Sequence, residues 1–404
     1  MIKKLNKTYL KSGKTIFISG SKSETNRLLL LQALFPQLEI VNMSNSDDSQ
    51  VMIAALEKGN GTIDIHHAGT AMRFLTAFFA TQEGKEVVLT GSSRMKERPI
   101  HILVEALQSL GAEITYLESE GFPPLKIVGR KLCNNEVSIP SEVSSQYISA
   151  LMLIAPSLDK GLIIRLLGKS TSLPYIKMTL QLLDEIGVTT SFDGTTIVIH
   201  PLQLTVNKTL VVESDWSSAS YWYSFIALSE VGTNIHLQSY KQHSLQGDSI
   251  LSEIYSFFGV ETIFLGNEIR LQKKHTPKQS HFSCDLRNTP DIAQTIAITC
   301  FGLGLSCDLT GLHTLKIKET DRLQALKTEL TKLGGVVKVT AESLHLNRCK
   351  EIRPDTAIDT YDDHRMAMAF APLCLKSNIT INNSEVVSKS YPDFWSDVES
   401  IMSD

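Results

Sequence analysis

Four segments of the 404-residue chain place cations, hydroxyls and small residues directly ahead of apolar runs. Ser21-Lys22-Ser23-Glu24-Thr25-Asn26-Arg27 leads into Leu28–Leu31, and Ala68-Gly69-Thr70-Ala71-Met72-Arg73 into Phe74–Phe79. Ser144-Ser145-Gln146 leads into Tyr147–Ala155, and Asp362-Asp363-His364-Arg365 into Met366–Pro372. A helix N-terminus offers unpaired N–H groups and the positive end of the macrodipole, so it attracts anions. Several in one chain, reinforced by Lys and Arg, predict a site for a heavily anionic small molecule, or for two.

Each cluster also has a plainer reading. Ser21 or Ser23 serves as an ordinary helix cap. In the sharper reading Lys22 and Ser23 hold a phosphate or carboxylate, and Arg27, one turn on, shares their face. Arg94-Met95-Lys96-Glu97-Arg98-Pro99 reads as a solvated loop, or as a strand-to-helix turn whose arginines grip an oxyanion in two parallel hydrogen bonds. Pro99 suits the first helical position there. In Lys316-Ile317-Lys318-Glu319-Thr320-Asp321-Arg322, surface ion pairs would contribute little. In a cleft, Lys318 and Arg322 would hold anions on one face, with Glu319 ionised or poised to shuttle a proton. Asp291, in Asn288-Thr289-Pro290-Asp291, is a cap if isolated and a general base if cations surround it. Asn45-Ser46-Asp47-Asp48 caps the helix that runs to Gly59. No metal is expected: Asp362–Arg365 are adjacent rather than one turn apart, and His66 and His67, read as strand residues, point to opposite faces.

Net charge is −4, so no global cationic field favours nucleic acid or an anionic membrane. No apolar run reaches spanning length, and no apolar signal segment follows Met1-Ile2-Lys3-Lys4. Six scattered cysteines without a C-x-x-C pair point to reduced thiols, hence a cytoplasmic protein.

The elements that must position these groups repeat. Helices ending at Gly111, Gly187, Gly259 and Gly334 are followed by β-like runs at spacings of 76, 72 and 75 residues. These glycines suit the left-handed position past a helix end. Six further helices are apolar nearly all round and must be buried: 27–34, 69–80, 144–155, 217–228, 291–303 and 363–375. Leu323, Leu326, Leu330 and Leu333 give the inward stripe of an amphipathic partner. Alternating strands are expected at 15–18, 86–89, 136–139, 196–199, 233–237 and 344–346. Six strand-and-helix units divide as three plus three, with a crossover near Pro201–Trp216.

The motifs, in this order, resemble the 5-enolpyruvylshikimate-3-phosphate (EPSP) synthase family, from Ser21-Lys22-Ser23 to Lys389-Ser390-Tyr391-Pro392-Asp393. Ser217-Ser218-Ala219-Ser220-Tyr221 and Asp363-His364-Arg365-Met366-Ala367-Met368 belong to the same set. The resemblance implies an α/β fold of two domains, each of three βαβαββ-type units, with the active site in the cleft between them. Residues 1–20 plus 214–404 would form the domain containing both termini and 21–213 the second, with crossovers near 14–21 and 210–216. It implies transfer of the enolpyruvyl group of phosphoenolpyruvate to the 5-hydroxyl of shikimate 3-phosphate. Phosphate leaves by addition and elimination through a tetrahedral intermediate, without a cofactor. By motif, shikimate 3-phosphate would contact Lys22, Ser23, Arg27, Ser144, Ser145, Gln146, Ser172, Asp291 and Lys318. Phosphoenolpyruvate would contact Lys22, Gly69, Arg98, Gln146, Arg322, Arg365 and Lys389. Asp291 would take the hydroxyl proton. Glu319 would exchange the methylene proton, and Lys22 would act as acid at the bridging oxygen. The two small-molecule substrates are the expected partners, with no nucleic acid and no membrane, and a monomer is expected.

Three residues depart from the family pattern. His67 and Phe74 stand where Asn and Pro are usual, and Thr314 replaces an Asn that holds the shikimate phosphate. Two alternatives remain: transfer to UDP-N-acetylglucosamine, whose enzymes use a loop cysteine absent from Gly91–Pro99, and an anion-binding relative without catalysis.

Overall fold

The computed structural model describes all residues except 141–143, 169–172, 203–206 and 404. The chain forms two compact units, Gly20–Val212 and Met1–Ser19 with Glu213–Asp404.

In the Gly20–Val212 unit, two four-stranded sheets follow one recipe of strand, helix, parallel strand, helix and closing hairpin. One joins Gly61–Asp64, Glu86–Thr90, Leu125–Val128 and Glu113–Tyr116 in that spatial order. The other joins Glu136–Pro140, Leu162–Leu167, Thr196–Ile199 and Thr190–Phe192. A third, shorter repeat pairs Leu38–Val41 in parallel with Lys208–Val211. The helices Lys22–Leu34, Gly69–Ala80 and Ser145–Ile154 pack on one another at the centre.

The other unit repeats the scheme. His281–Asp285, Ser306–Thr310, Leu344–Leu346 and Val337–Val339 form a complete sheet. A second sheet takes its edge strand, Lys14–Ile16, from before the inserted unit and pairs it in parallel with Asn234–Gln238. A third pairs Lys3–Leu5 with Ile379–Ile381. Helices Trp216–Leu228, Ala293–Gly302 and His364–Phe370 are the central three.

The central helices are buried because their sequences leave no polar face. All of His364–Phe370 is buried, as is Gly69–Ala80 apart from Thr70. The exceptions in Ser145–Ile154 and Trp216–Leu228 are Gln146 and Ser217. Thr70, Gln146 and Ser217 all lie in first turns, so these helices meet solvent only where their N–H groups are unpaired. Burying each Leu, Ile or Phe stabilises the fold by about 1.5–3 kcal/mol. Leu323, Leu326, Leu330 and Leu333 are all fully buried. Gly111, Gly187, Gly259 and Gly334 have φ of 106°, 90°, 79° and 101°, the left-handed turn that returns each repeat to its next strand.

Two local expectations change. Pro99 is not a first helical residue: the helix is His101–Ser109 with Ile100 at its cap, and the Pro99 carbonyl faces inward as an acceptor. His66 and His67 lie past the strand Gly61–Asp64, in a turn rather than a strand. His66 has φ 49°, and its N–H donates to Asp64 Oδ1.

Candidate active site

The groups singled out by sequence form two clusters, one at the helix N-termini of each unit. In the Gly20–Val212 unit, Lys22 opens its helix with Nζ 3.3 Å from Asp48 Oδ2. Arg27, buried one turn on, donates to Thr179 Oγ1 (2.8 Å), Ser149 Oγ (3.0 Å) and the Ser23 carbonyl (2.8 Å). Its guanidinium lies over the rings of Phe74 and Tyr175, 5.4 and 5.8 Å from their centroids. These are cation–π contacts. Burial draws its pKa down to about 10, against the pull of Tyr175 and Glu24, so it stays charged at neutral pH. The departure at Phe74 thus acts on Arg27. Its ring is fully buried beneath that charge.

Gly69 and Arg98 meet directly. A Cβ on Gly69 would crowd Arg98 Nη1 and lie 3.0 Å from its Cζ, so the guanidinium would have to shift to make room. Arg73, in the same helix, donates to the Gly69 carbonyl (3.1 Å) and to the Pro99 carbonyl (3.2 Å). Tyr147 Oη also donates to Pro99 O, at 2.5 Å. Burial draws Arg73 down to about 10, and the neighbouring Arg98 adds to that shift. Two guanidinium groups that repel each other favour an anion beside them. His67 Nδ1 pairs with Ser92 Oγ at 2.9 Å, tying the turn before Gly69 to the turn carrying Arg94. Of the other cations in that turn, Arg94 pairs with Glu97 and Lys96 with Glu118, both at exposed positions. Gln146 Nε2 donates to Thr70 Oγ1 at 3.1 Å, joining two helix starts, and Ser144 caps its own helix through the Gln146 N–H. Ser145 is buried beside it. Ser172 lies outside the described residues.

The second cluster is an ion-pair web. Arg322 is 1% exposed and bonds three carboxylates: Asp363 through Nε (2.6 Å), Asp291 through Nη1 (2.9 Å) and Glu319 through Nη2 (2.9 Å). Lys389 Nζ is 3.0 Å from Glu319 Oε1. Lys318 Nζ is 3.5 Å from Asp291 Oδ1, and Arg365 Nη2 is 3.5 Å from Asp291 Oδ2. Arg365 Nη1 also donates to the Asp291 carbonyl at 3.0 Å. Asp291 sits in a 3₁₀ turn, Pro290–Ile292, feeding the Ala293–Gly302 helix. Burial alone would push its carboxyl up; Arg365, Lys318 and Arg322 overcome that and hold it far below the usual carboxylate range. Lys318 is favoured as a cation by Asp291, yet burial and Arg322 draw it below the lysine range. Thr314 Oγ1 is buried with no hydrogen-bond partner among the described residues. No group of three or more His, Cys, Asp or Glu among those residues is placed to hold a metal.

Residues 57–398 match the family described as EPSP synthase (3-phosphoshikimate 1-carboxyvinyltransferase). The chain belongs to the EPSP synthase family. A 3-phosphoshikimate 1-carboxyvinyltransferase of Bacteroides fragilis is 46% identical over 388 residues, covering 95% of this chain and 94% of that one. The Neisseria meningitidis serogroup B protein of the same name is 35% identical, with 94% of each covered. An EPSP synthase structure from Acinetobacter baumannii superposes with TM-score 0.77 at 19% identity, covering 99% and 98% of the chains. The enolpyruvyl transferase NikO of Streptomyces tendae gives 0.75 at 13% identity over 100% and 97%. These two likenesses establish the shared fold.

Within this EPSP synthase family member, the sequence reading missed Tyr175 and Asp248, and it named Arg73, Asp48 and Asp363 only as members of motifs, without a task of their own. Arg73 carried a signal: a lone charge in an otherwise apolar helix is buried and must find partners. Tyr175 and Asp48 carried none, because their roles depend on neighbours distant in sequence. Asp248, in a polar stretch after Gln246-Gly247, carried none either.

Proposed function

We propose that both clusters serve one reaction, with the phosphoenolpyruvate and shikimate 3-phosphate anions held by the assigned Lys, Arg and helix N-termini. The enzyme transfers the enolpyruvyl group of phosphoenolpyruvate to the 5-hydroxyl of shikimate 3-phosphate and releases phosphate. The observation that carries the mechanism is the environment of Asp291: one buried carboxylate pressed by three cations. It is ionised, as an acceptor for the hydroxyl proton must be, but too weakly basic while those cations face it alone. Substrate phosphates and carboxylates neutralise Lys318 and Arg365 as they bind, and the carboxylate grows more basic as the hydroxyl arrives.

The hydroxyl oxygen then attacks C2 of phosphoenolpyruvate while a proton is delivered to the methylene carbon. Glu319, between Arg322 and Lys389, suits that delivery and its reversal when phosphate leaves. Lys22, balanced by Asp48, suits the acid at the bridging oxygen. Gly69 with Arg98 fits an oxyanion of phosphoenolpyruvate. Arg27, Ser144, Ser145, Gln146 and Lys318 fit shikimate 3-phosphate, and the unpartnered Thr314 hydroxyl supplies a donor where relatives carry an amide. All six cysteines are free thiols, which supports the cytoplasm. Among the described residues, no helix is long and apolar enough to cross a membrane.

The test is phosphate release from phosphoenolpyruvate, with shikimate 3-phosphate as acceptor and UDP-N-acetylglucosamine as control. Release with the first alone is expected. Release only with the sugar nucleotide would reassign the acceptor, and release with neither would leave a binding protein.

A further inference from the structure

Asp248 is a carboxylic acid that the reaction scheme leaves without a task. It lies in a 3₁₀ turn, Gly247–Ile250, and is 6% exposed. The Ser217 hydroxyl donates to its Oδ2. Arg365 Nη2 in turn donates to Ser217 Oγ at 3.4 Å, and the same nitrogen lies 3.5 Å from Asp291 Oδ2. A relay therefore runs from Asp248 through Ser217 and Arg365 to Asp291. Ser217 is the one residue of its helix that is not buried.

We propose that Asp248 is a positioning residue: through the Ser217 hydroxyl it orients the Arg365 guanidinium, and it adds or withholds one negative charge beside the anion-binding cluster. The ion pairs there join four cations, Lys318, Arg322, Arg365 and Lys389, with three carboxylates, Asp291, Glu319 and Asp363. A fourth carboxylate, when ionised, opposes the entry of anionic substrate; when protonated, it leaves the site more cationic.

The surroundings favour switching near neutrality. Burial, then the charge of Asp291, push Asp248 up to about 7, and Asp215 pushes the same way. The Ser217 hydrogen bond and Arg365 pull it down. Those groups face it from the Pro290–Ile292 turn, the head of the Trp216–Leu228 helix and the His364–Phe370 helix. On the Leu251–Phe257 helix that continues from its own turn, the acid Glu253 is exposed to water. Entry of a substrate anion beside Arg365 weakens the downward pull, so binding favours the protonated form.

The proposal rests on the assignment of Arg365 to phosphoenolpyruvate, and its test separates the two. The Michaelis constant for phosphoenolpyruvate is measured from pH 6 to 8.5 for the wild type, Asp248→Asn and Ser217→Ala. Both substrates carry phosphates that titrate in this range, so the readout is the ratio of wild type to variant at each pH. For Asp248→Asn, whose side chain is always neutral, the wild-type constant is expected to rise about fivefold relative to the variant as pH climbs, the effect of one charge a few ångströms away. Ser217→Ala removes a bond that holds Asp248 down, so its inflection is expected at higher pH than in the wild type. A pH-independent ratio in both variants overturns the role of Asp248, whatever their thermal stability. A wild type with no turnover at any pH overturns the functional reading instead.

Discussion

Asp291 and Asp248 are carboxyls in the same cluster, and their surroundings move them in opposite directions. That separation lets one site keep one carboxyl ionised while another switches near pH 7. Replacing Asp291 by Asn should cut kcat by about 10²–10⁴-fold. Calorimetric titration should still find both ligands bound, and an unchanged kcat would remove it as the base. Asp248 makes a prediction about stability. The unfolded chain releases this proton near pH 4 and the folded chain near 7, so folding takes up a proton in between. Stability contributed by Asp248 is therefore complete below about pH 4, falls as pH rises to about 7, and is level above that. Asp248→Asn should gain about 2–4 kcal/mol on the wild type between pH 4 and 7, read by chemical denaturation at each pH. A constant difference across that window would contradict it. Gly69→Ala is a steric test: its Cβ would strike the Arg98 guanidinium. A rise of about tenfold in the phosphoenolpyruvate Michaelis constant is expected, with shikimate 3-phosphate little affected. At this scale the sequence revealed most of the cations that gather in the two clusters, because Lys and Arg at helix starts have few other reasons to recur. It did not reveal what holds them, since Asp48 and Asp248 acquire meaning only from neighbours brought by folding.

The helix starts are held in register by buried polar links. Arg73 is the clearest, one guanidinium joining the carbonyls of Gly69 and Pro99 and so fixing the turn that presents Arg98. Arg73→Leu should cost about 2–4 kcal/mol, because two carbonyls lose a charged donor, that of Pro99 keeping only Tyr147 Oη. It should also weaken phosphoenolpyruvate more than shikimate 3-phosphate, checked by paired thermal melts and Michaelis constants. Equal weakening of both would mean that the link stabilises the unit without positioning Arg98. Elements of regular period were legible: the strands Thr196–Ile199 and Leu344–Leu346 lie where alternation placed them, and the Leu323–Leu333 stripe is buried. Turns were less so. Pro99 is compatible with a first helical turn, but the inward hydrogen bonds to its carbonyl require it two residues earlier. His66 and His67 alternate like strand residues, yet the left-handed His66 ends the strand. The period of about 75 residues revealed the repeat, but not that two of the six sheets are shorter, with two and three strands among the described residues.

At the scale of the molecule, each unit carries three buried helices and its own sheets. A fragment spanning residues 20–212 is continuous in sequence and contains its whole core. It should unfold cooperatively in urea and should release no phosphate from phosphoenolpyruvate, since Asp291 and Glu319 lie outside it. The other unit cannot be excised so simply, because its strand Lys3–Leu5 pairs with Ile379–Ile381 and its strand Lys14–Ile16 with Asn234–Gln238. This pairing bears on the order of events at the ribosome. Elongation adds about 5–20 residues each second, so Lys3–Leu5 waits roughly 20–75 s for its partner strand to be made. During that wait the inserted unit has been synthesised whole and can close around its own helices. Lys14–Ile16 finds Asn234–Gln238 part-way through synthesis, whereas the edges of Lys3–Leu5 stay unpaired until the last sheet is completed.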